Sequence, residues 1–188
     1  MTTVLNLESI TTLNRKQFYQ LCVNNPEISL ERNPQGELII MAPVGGISGE
    51  KEANLIIDIG YWNRQKKLGK VFSSSTIFSL PKGGDRSPDV AWVSLAKWEA
   101  LSEKEKEGFP PICPDFVIEL RSKSDRLKPL QEKMKEYLDS GLQLGWLINP
   151  QDKTVEIYRQ NKAVEVVKMP VTLSGENVLL DLEITLDY

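Results

Sequence analysis

The sequence predicts an α/β (α+β) domain built on one mixed β-sheet flanked by helices, with extra antiparallel strands at both ends. Three observations predict it. Phe116-Val117-Ile118 is a continuous apolar run of the length and character of a central, doubly covered strand. A helix-period segment from Leu127 to Ser140, stopped by Gly141, leads from that run to another at Leu144 to Ile148, which makes a strand–helix–strand unit. Short strand-like runs separated by turn residues precede and follow this unit.

The elements follow in order. Leu13 to Asn24 reads as a short helix, capped by Thr12 or Asn14, with Phe18, Leu21 and Cys22 on one face. Ile28 to Arg32 and Glu37 to Met41 read as strands joined by a turn at Asn33-Pro34-Gln35-Gly36. Ala42 to Gly49 is a Gly- and Pro-containing loop. A long helix is expected from about Ser48 to Lys67, capped by Ser48, with Glu50, Lys51 and Glu52 in its first turn. Leu55, Ile56, Ile59 and Trp62 share one face of it, and Gly69 is placed to end it.

Val71 to Ser74 and Ile77 to Leu80 are short strands, and Pro81 to Pro88 is a turn-rich connection in which Asp85 and Arg86 belong to a turn. Asp89 to Val93 is a strand, followed by a charged helical stretch from Leu95 to Lys106 that Pro110, Pro111 and Pro114 terminate. After the central unit, Asn149-Pro150-Gln151-Asp152 turns the chain into a strand at Thr154 to Arg159. Ala163 to Met169 and Val178 to Leu182 are the closing strands. The four tryptophans, Trp62, Trp92, Trp98 and Trp146, fall on core or interface faces.

The chain of 188 residues suits a single domain over 1–188 with its core at about 13–158. With 40% hydrophobic and 26% charged residues it has the composition of a soluble globular protein. No apolar run approaches the roughly 20 residues of a membrane span. Met1 to Glu8 shows no signal-peptide pattern, so the expected location is cytoplasmic and no membrane partner is expected. Two cysteines, Cys22 and Cys113, make neither a disulfide framework nor a metal site. The absence of histidine excludes Ser-His-Asp triads, Cys-His dyads and HExxH zinc chemistry. Catalysis must then use carboxylates, amines, guanidinium groups or a metal held by oxygen ligands. A net charge of −3 argues against a large nucleic-acid surface and leaves room for a local basic patch.

Two acids stand out against this background. Asp89 opens one apolar strand and Glu119 lies near the end of another. A carboxylate in an apolar strand is costly to desolvate unless it is paired or bound to a cation. Two on neighbouring strands can hold a divalent ion through oxygen, as Mg²⁺ prefers. Strand alternation puts Glu119 and Arg121 on one face, so both are expected in one pocket. The following helix offers Lys133 and, one turn later, Tyr137. A cation there can orient water or stabilise charge on a reacting phosphate. Blander readings accompany each: Asp89 as a turn residue after Pro88, Arg121 as merely the partner of Glu119, Lys133 on a solvated face, Glu52 favouring the positive end of its helix. Asp115 also follows a proline, but it begins the strand that carries Glu119, roughly 13 Å from it.

Together, Arg86-Ser87-Pro88-Asp89-Val90, Pro114-Asp115-Phe116-Val117-Ile118-Glu119-Leu120-Arg121-Ser122, Lys133-Met134-Lys135-Glu136-Tyr137, Gly141 and Gly145-Trp146-Leu147-Ile148-Asn149-Pro150 resemble a known family. It is the bacterial putative restriction endonuclease family, formerly a domain of unknown function, of the PD-(D/E)XK nuclease superfamily. The resemblance spans roughly Leu13 to Tyr158. It implies a restriction-endonuclease-like mixed sheet, a Mg²⁺ or Mn²⁺ site, and hydrolysis of DNA phosphodiester bonds by metal-activated water. Carried over by position, it implies Asp89 and Glu119 as metal ligands, with an acid early in the long helix, Glu52 before Glu50, assisting. Arg121 departs from the motif, which has lysine there; arginine stays protonated and is a poor general base. Lys133 is the candidate for the displaced amine. The expected catalytic set is therefore Asp89, Glu119, Arg121, Lys133 and Glu52.

Two other readings stand beside a metal-dependent endonuclease. A catalytically inactive nuclease-fold module binding nucleic acid or protein is favoured by Arg121 and by the acidic net charge. A structural domain in which Glu119 and Arg121 form an internal pair is the third. Exposed edges of the terminal strands suggest a homodimer.

Overall fold

The structure, a computed structural model, describes residues 3–5 and 12–188. Most of Met1 to Glu8 lies outside these. β1 (Thr3–Leu5) has no counterpart in the sequence reading. α1 (Arg15–Asn24) starts at Asn14, whose side chain accepts from the backbone N–H of Gln17 while Gln17 reaches back, a reciprocal cap. β2 (Leu30–Arg32) and β3 (Leu38–Ile40) form the expected hairpin.

α2 (Gly46–Lys66) begins two residues before the expected Ser48, with Gly45 as its cap and no side-chain capping bond. It ends on Lys67 at φ +57°, a left-handed residue that does the work expected of Gly69. Gly69 instead opens β4 (Gly69–Ser73), and the short β5 (Phe78–Ser79) follows. Asp85 and Arg86 are not turn residues: they form β6 (Asp85–Arg86), both buried. The hydrophobic pattern hid this because their charges are neutralised by partners distant in sequence.

β7 (Val90–Ser94) precedes two short helices, α3 (Leu95–Glu99) and α4 (Glu103–Glu107), in place of the single expected helix. Ser102 and Glu105 form a capping box that restarts the helix. β8 (Phe116–Leu120) is buried throughout, α5 (Leu127–Asp139) follows it, and Gly141 at φ +105° reverses the chain into β9 (Leu144–Asn149). β10 (Thr154–Arg159) and β11 (Glu165–Lys168) come next. The chain ends with β12 (Val171–Ser174) and β13 (Glu183–Leu186). The strand expected at Val178 to Leu182 is a series of turns between them, in which Leu179 and Leu182 are buried as loop anchors.

The main sheet has six strands in the order β11-β10-β9-β8-β7-β4. Only β8 and β9, the pair joined through α5, run parallel within it; its other pairs are antiparallel. This is the mixed α+β architecture the sequence predicts. A second sheet, β1-β3-β2-β6-β5, carries α1, and β12-β13 form a hairpin.

Alternation along β8 sorts the core into two faces. Phe116, Ile118 and Leu120 pack with Leu55, Ile59 and Trp62 of α2 and with Leu173, Ile184 and Leu186 of the terminal hairpin. Val117 faces the other way, against Met134 and Tyr137 of α5. The core therefore extends to Leu186, past the 158 expected. Trp62, Trp92 and Trp146 are buried core residues. Among the described residues no helix is long and apolar enough to cross a membrane.

Candidate active site

The register of the sheet brings the two acids together. β7 and β8 pair Val90 with Ile118, and one step further Asp89 lies opposite Glu119. Glu119 belongs to the α5 face by alternation, and Asp89, one residue before β7, lines the same cleft. Asp89 also accepts a 2.6 Å hydrogen bond from the backbone N–H of Leu120, which fixes it against the end of β8.

Lys133 reaches this point from the middle of α5. Its Nζ lies 2.8 Å from Glu119 Oε1 and 2.8 Å from Glu31 Oε1, and it donates to the Ser87 carbonyl at 3.2 Å. Tyr137, one turn later, donates to Glu119 Oε1 at 3.0 Å. Lys133 is thus no solvated residue; it is 7% exposed, Glu119 is 3% exposed and Glu31 3%. The i, i+4 spacing on α5 aims both donors at one carboxylate.

A second tier supports the first. Arg86 donates to Glu31 Oε2 at 3.0 Å and to Glu136 Oε2 at 2.5 Å, and the backbone N–H of Ser87 donates to Glu31 Oε1 at 2.8 Å. β2, β6 and α5 are tied together through these charges. Gly84 allows it, since a Cβ there would lie 1.6 Å from Glu136 Oε1. Sequence reasoning missed Glu31, Arg86 and Glu136. The available signal was the adjacent charges inside two strand segments, Leu30-Glu31-Arg32 and Asp85-Arg86, which make sense only as buried pairs.

The charges shift one another. Burial raises the pKa of Asp89 well above the usual aspartate value and the charge of Glu119 adds to this, while Lys133 and the Leu120 N–H oppose it. Burial likewise raises Glu119, against the pull of Lys133. Burial would raise Glu31 too, but Lys133 and Arg86 outweigh it and hold it below the ordinary glutamate value. Burial would lower Lys133, yet Glu119 and Glu31 together push it up. The lysine is held as a cation and is a poor base. Asp89 is the carboxyl of the cluster least compensated by positive charge, so burial and Glu119 disfavour its ionised form.

The cluster sits at the wall of a cleft of about 1100 Å³ between the second sheet and α5, lined by Glu31, Asp89, Glu119, Lys133 and Glu136. Lys82, Arg126 and Lys135 also line it.

Two expected members are placed elsewhere. Arg121 does not share the Glu119 pocket: it donates to Asn149 at 3.2 Å, to Asp152 at 3.1 Å and to the Asp125 carbonyl at 3.1 Å. β8 ends at Leu120, so strand alternation no longer governs the next side chain. The internal pair expected between Glu119 and Arg121 is therefore replaced by Glu119–Lys133. Glu52 lies on α2, across the sheet from α5, where it accepts from Ser74 at 2.6 Å. It reaches Asp89 only as a further negative charge and does not line the cleft. Glu50 is exposed on the same helix.

Among the described residues no three acids are arranged to hold a metal ion as they stand. The donor chemistry nevertheless suits a hard divalent cation. Asp89 and Glu119 offer oxygen only, and such an ion would offset the burial that raises both and the repulsion that Glu119 adds at Asp89.

A mixed sheet carrying opposed carboxylates beside a buried lysine defines a domain of the nuclease-fold class. The chain belongs to the Putative restriction endonuclease family, whose model matches residues 15–187. That match runs further than the Leu13 to Tyr158 stretch of the motif resemblance and takes in the terminal hairpin. The crystal structure of a putative nuclease belonging to DUF820 from Anabaena variabilis has the same fold. The two superpose with a TM-score of 0.73 at 20% identity, over 85% of this chain and 88% of that one. No curated protein matches the chain.

Proposed function

We propose that this chain is a divalent-metal-dependent endonuclease that hydrolyses DNA phosphodiester bonds in the cleft bounded by Asp89, Glu119 and Lys133. The observation that carries the reading is the contact of Lys133 Nζ with Glu119, directly across the register from Asp89. It restores, from a helix, the amine that the motif lacks at Arg121. Membership of the restriction endonuclease family supports the same activity.

Asp89 and Glu119 are the residues that would hold Mg²⁺ or Mn²⁺, with Glu52 contributing negative charge from the opposite layer. When bound, the ion supplies Lewis-acid polarisation of the scissile phosphate and of the attacking water. Lys133, kept protonated by two carboxylates, stabilises negative charge developing on the phosphate and does not act as the base. Tyr137 orients Glu119 through its hydroxyl. Glu31, fixed by Arg86 and the Ser87 N–H, holds Lys133 from behind. Lys82, Arg126 and Lys135 offer charge to the DNA backbone along the cleft. Arg121 anchors the turn at Asn149 to Asp152 and has no chemical role.

The test is cleavage of supercoiled plasmid with Mg²⁺ or Mn²⁺ by the wild type, Asp89→Ala and Glu119→Ala. The proposal expects activity in the wild type and its loss in both variants; equal activity in all three would sink it. The second reading, an inactive module that binds nucleic acid or protein, is favoured by one observation. Both oxygens of Glu119 already accept hydrogen bonds, from Lys133 and Tyr137. It predicts DNA binding without cleavage and no response to divalent ions.

A further inference from the structure

Helix α2 is two-sided. Leu55, Ile59 and Trp62 are buried against the sheet. The opposite side exposes Ile57 at 62% and Tyr61 at 67%, large side chains that a solvated helix face has no reason to carry together. At about 100° per residue, Glu50, Ile57 and Arg64 fall within about 20° of a single line along this side. Ala53 and Tyr61 flank the line at equal distances from Ile57. All five are exposed. Among the described residues Lys66 pairs with Asp181 at 2.7 Å, whereas Glu50 and Arg64 enter no ion pair.

This stripe is its own complement. The acid and the base lie seven residues to either side of Ile57, about 10 Å along the axis in each direction. We propose that α2 is a homodimer interface, in which two copies of this chain pack antiparallel about a two-fold axis at Ile57. The axis sets Ile57 against Ile57 of the partner subunit and Tyr61 against Ala53 of the partner subunit. It sets Glu50 against Arg64 of the partner subunit, and symmetry makes that ion pair twice. Antiparallel helices also oppose their macrodipoles favourably. An isologous contact needs one patch to complement itself, and this stripe does so in both shape and charge. The sheet edge is a poorer candidate: exposed β11 carries Glu165 and Lys168, charges that discourage strand addition.

Sedimentation equilibrium and light scattering across a concentration series test this with the full chain, independently of any nuclease activity. The wild type is expected to dimerise. Ile57→Asp is expected to raise the dimer Kd on the order of 30-fold or more, the effect of losing a central apolar anchor. Glu50→Arg places like charges at both ends and is expected to weaken the dimer on the order of tenfold. The double variant Glu50→Arg with Arg64→Glu reverses both charges and is expected to restore the wild-type Kd within a few-fold. These positions are on the surface of the single subunit, so at concentrations where both are monomeric the variants should melt near the wild type. A wild type that remains monomeric, a dimer indifferent to Ile57→Asp, or a charge swap that restores nothing would each overturn the proposal.

Discussion

Replacing Lys133 with methionine removes one cation from between two buried carboxylates while keeping an unbranched side chain only one atom shorter. Nζ stands 2.8 Å from Glu119 and 2.8 Å from Glu31, and all three residues are almost wholly buried. Without it, two like charges face each other with Arg86, Tyr137 and the Ser87 N–H as their donors. Breaking a buried pair in this way costs about 3–5 kcal/mol, because the remaining charge is left uncompensated. For a chain of this size that lowers the melting temperature by about 6–20 °C. The deficit has a definite pH dependence. In the variant Glu119, already raised by burial, loses the lysine that opposes the shift, so the folded state binds its proton more tightly than the unfolded state. Stability is then regained as pH falls and lost as pH rises through the raised value. Thermal melts by circular dichroism at several pH values read this directly. Adding Glu119→Gln to Lys133→Met should recover part of the loss, since Glu119 is then neutral while Glu31 keeps Arg86 and the Ser87 N–H. A Lys133→Met protein melting within about 2 °C of wild type at neutral pH would refute the reasoning.

Three further predictions follow from the same charges. Asp89→Asn should raise the melting temperature in the absence of divalent ions at pH above the raised Asp89 pKa, where burial and Glu119 penalise the ionised carboxylate, and should abolish any stabilisation by Mg²⁺; thermal melts with and without the ion check both. Mg²⁺ affinity measured by calorimetry should increase with pH through the acid range, because Asp89 and Glu119, both raised, must lose protons before they can bind; a pH-independent affinity would contradict that. In plasmid cleavage, Lys133→Met should reduce the rate on the order of 100-fold. Arg121→Gln, outside the cleft, should reduce it less than about threefold, the effect of losing a partly exposed ion pair.

The central unit was legible because its signals agree. Phe116-Val117-Ile118 has no polar interruption, Leu127 to Asp139 keeps helical period, and Gly141 marks the reversal. Asp89 and Glu119 could be found because acids are rare in such strands. Asp85 and Arg86 read as turn residues because a sequence does not reveal that Arg32, Glu31 and Glu136 lie in wait for them. Arg121 was placed in the pocket by extending strand alternation one residue past the end of β8. Glu52 was placed there from its helix face, which does point to the sheet, but to the side opposite α5. The terminal hairpin was misplaced because its buried Leu179 and Leu182 belong to turns, which have no period to read.

On the proposed function, Asp89 and Glu119 hold a divalent ion beside a fixed lysine cation. A crystal structure grown with Mn²⁺ and recorded at a wavelength giving anomalous signal tests it most directly. The expected result is one anomalous peak about 2.0–2.3 Å from a carboxylate oxygen of each residue, the range for hard cations on oxygen, with Lys133 still against Glu119. An empty site at saturating Mn²⁺, with both Glu119 oxygens still held by Lys133 and Tyr137, would contradict it.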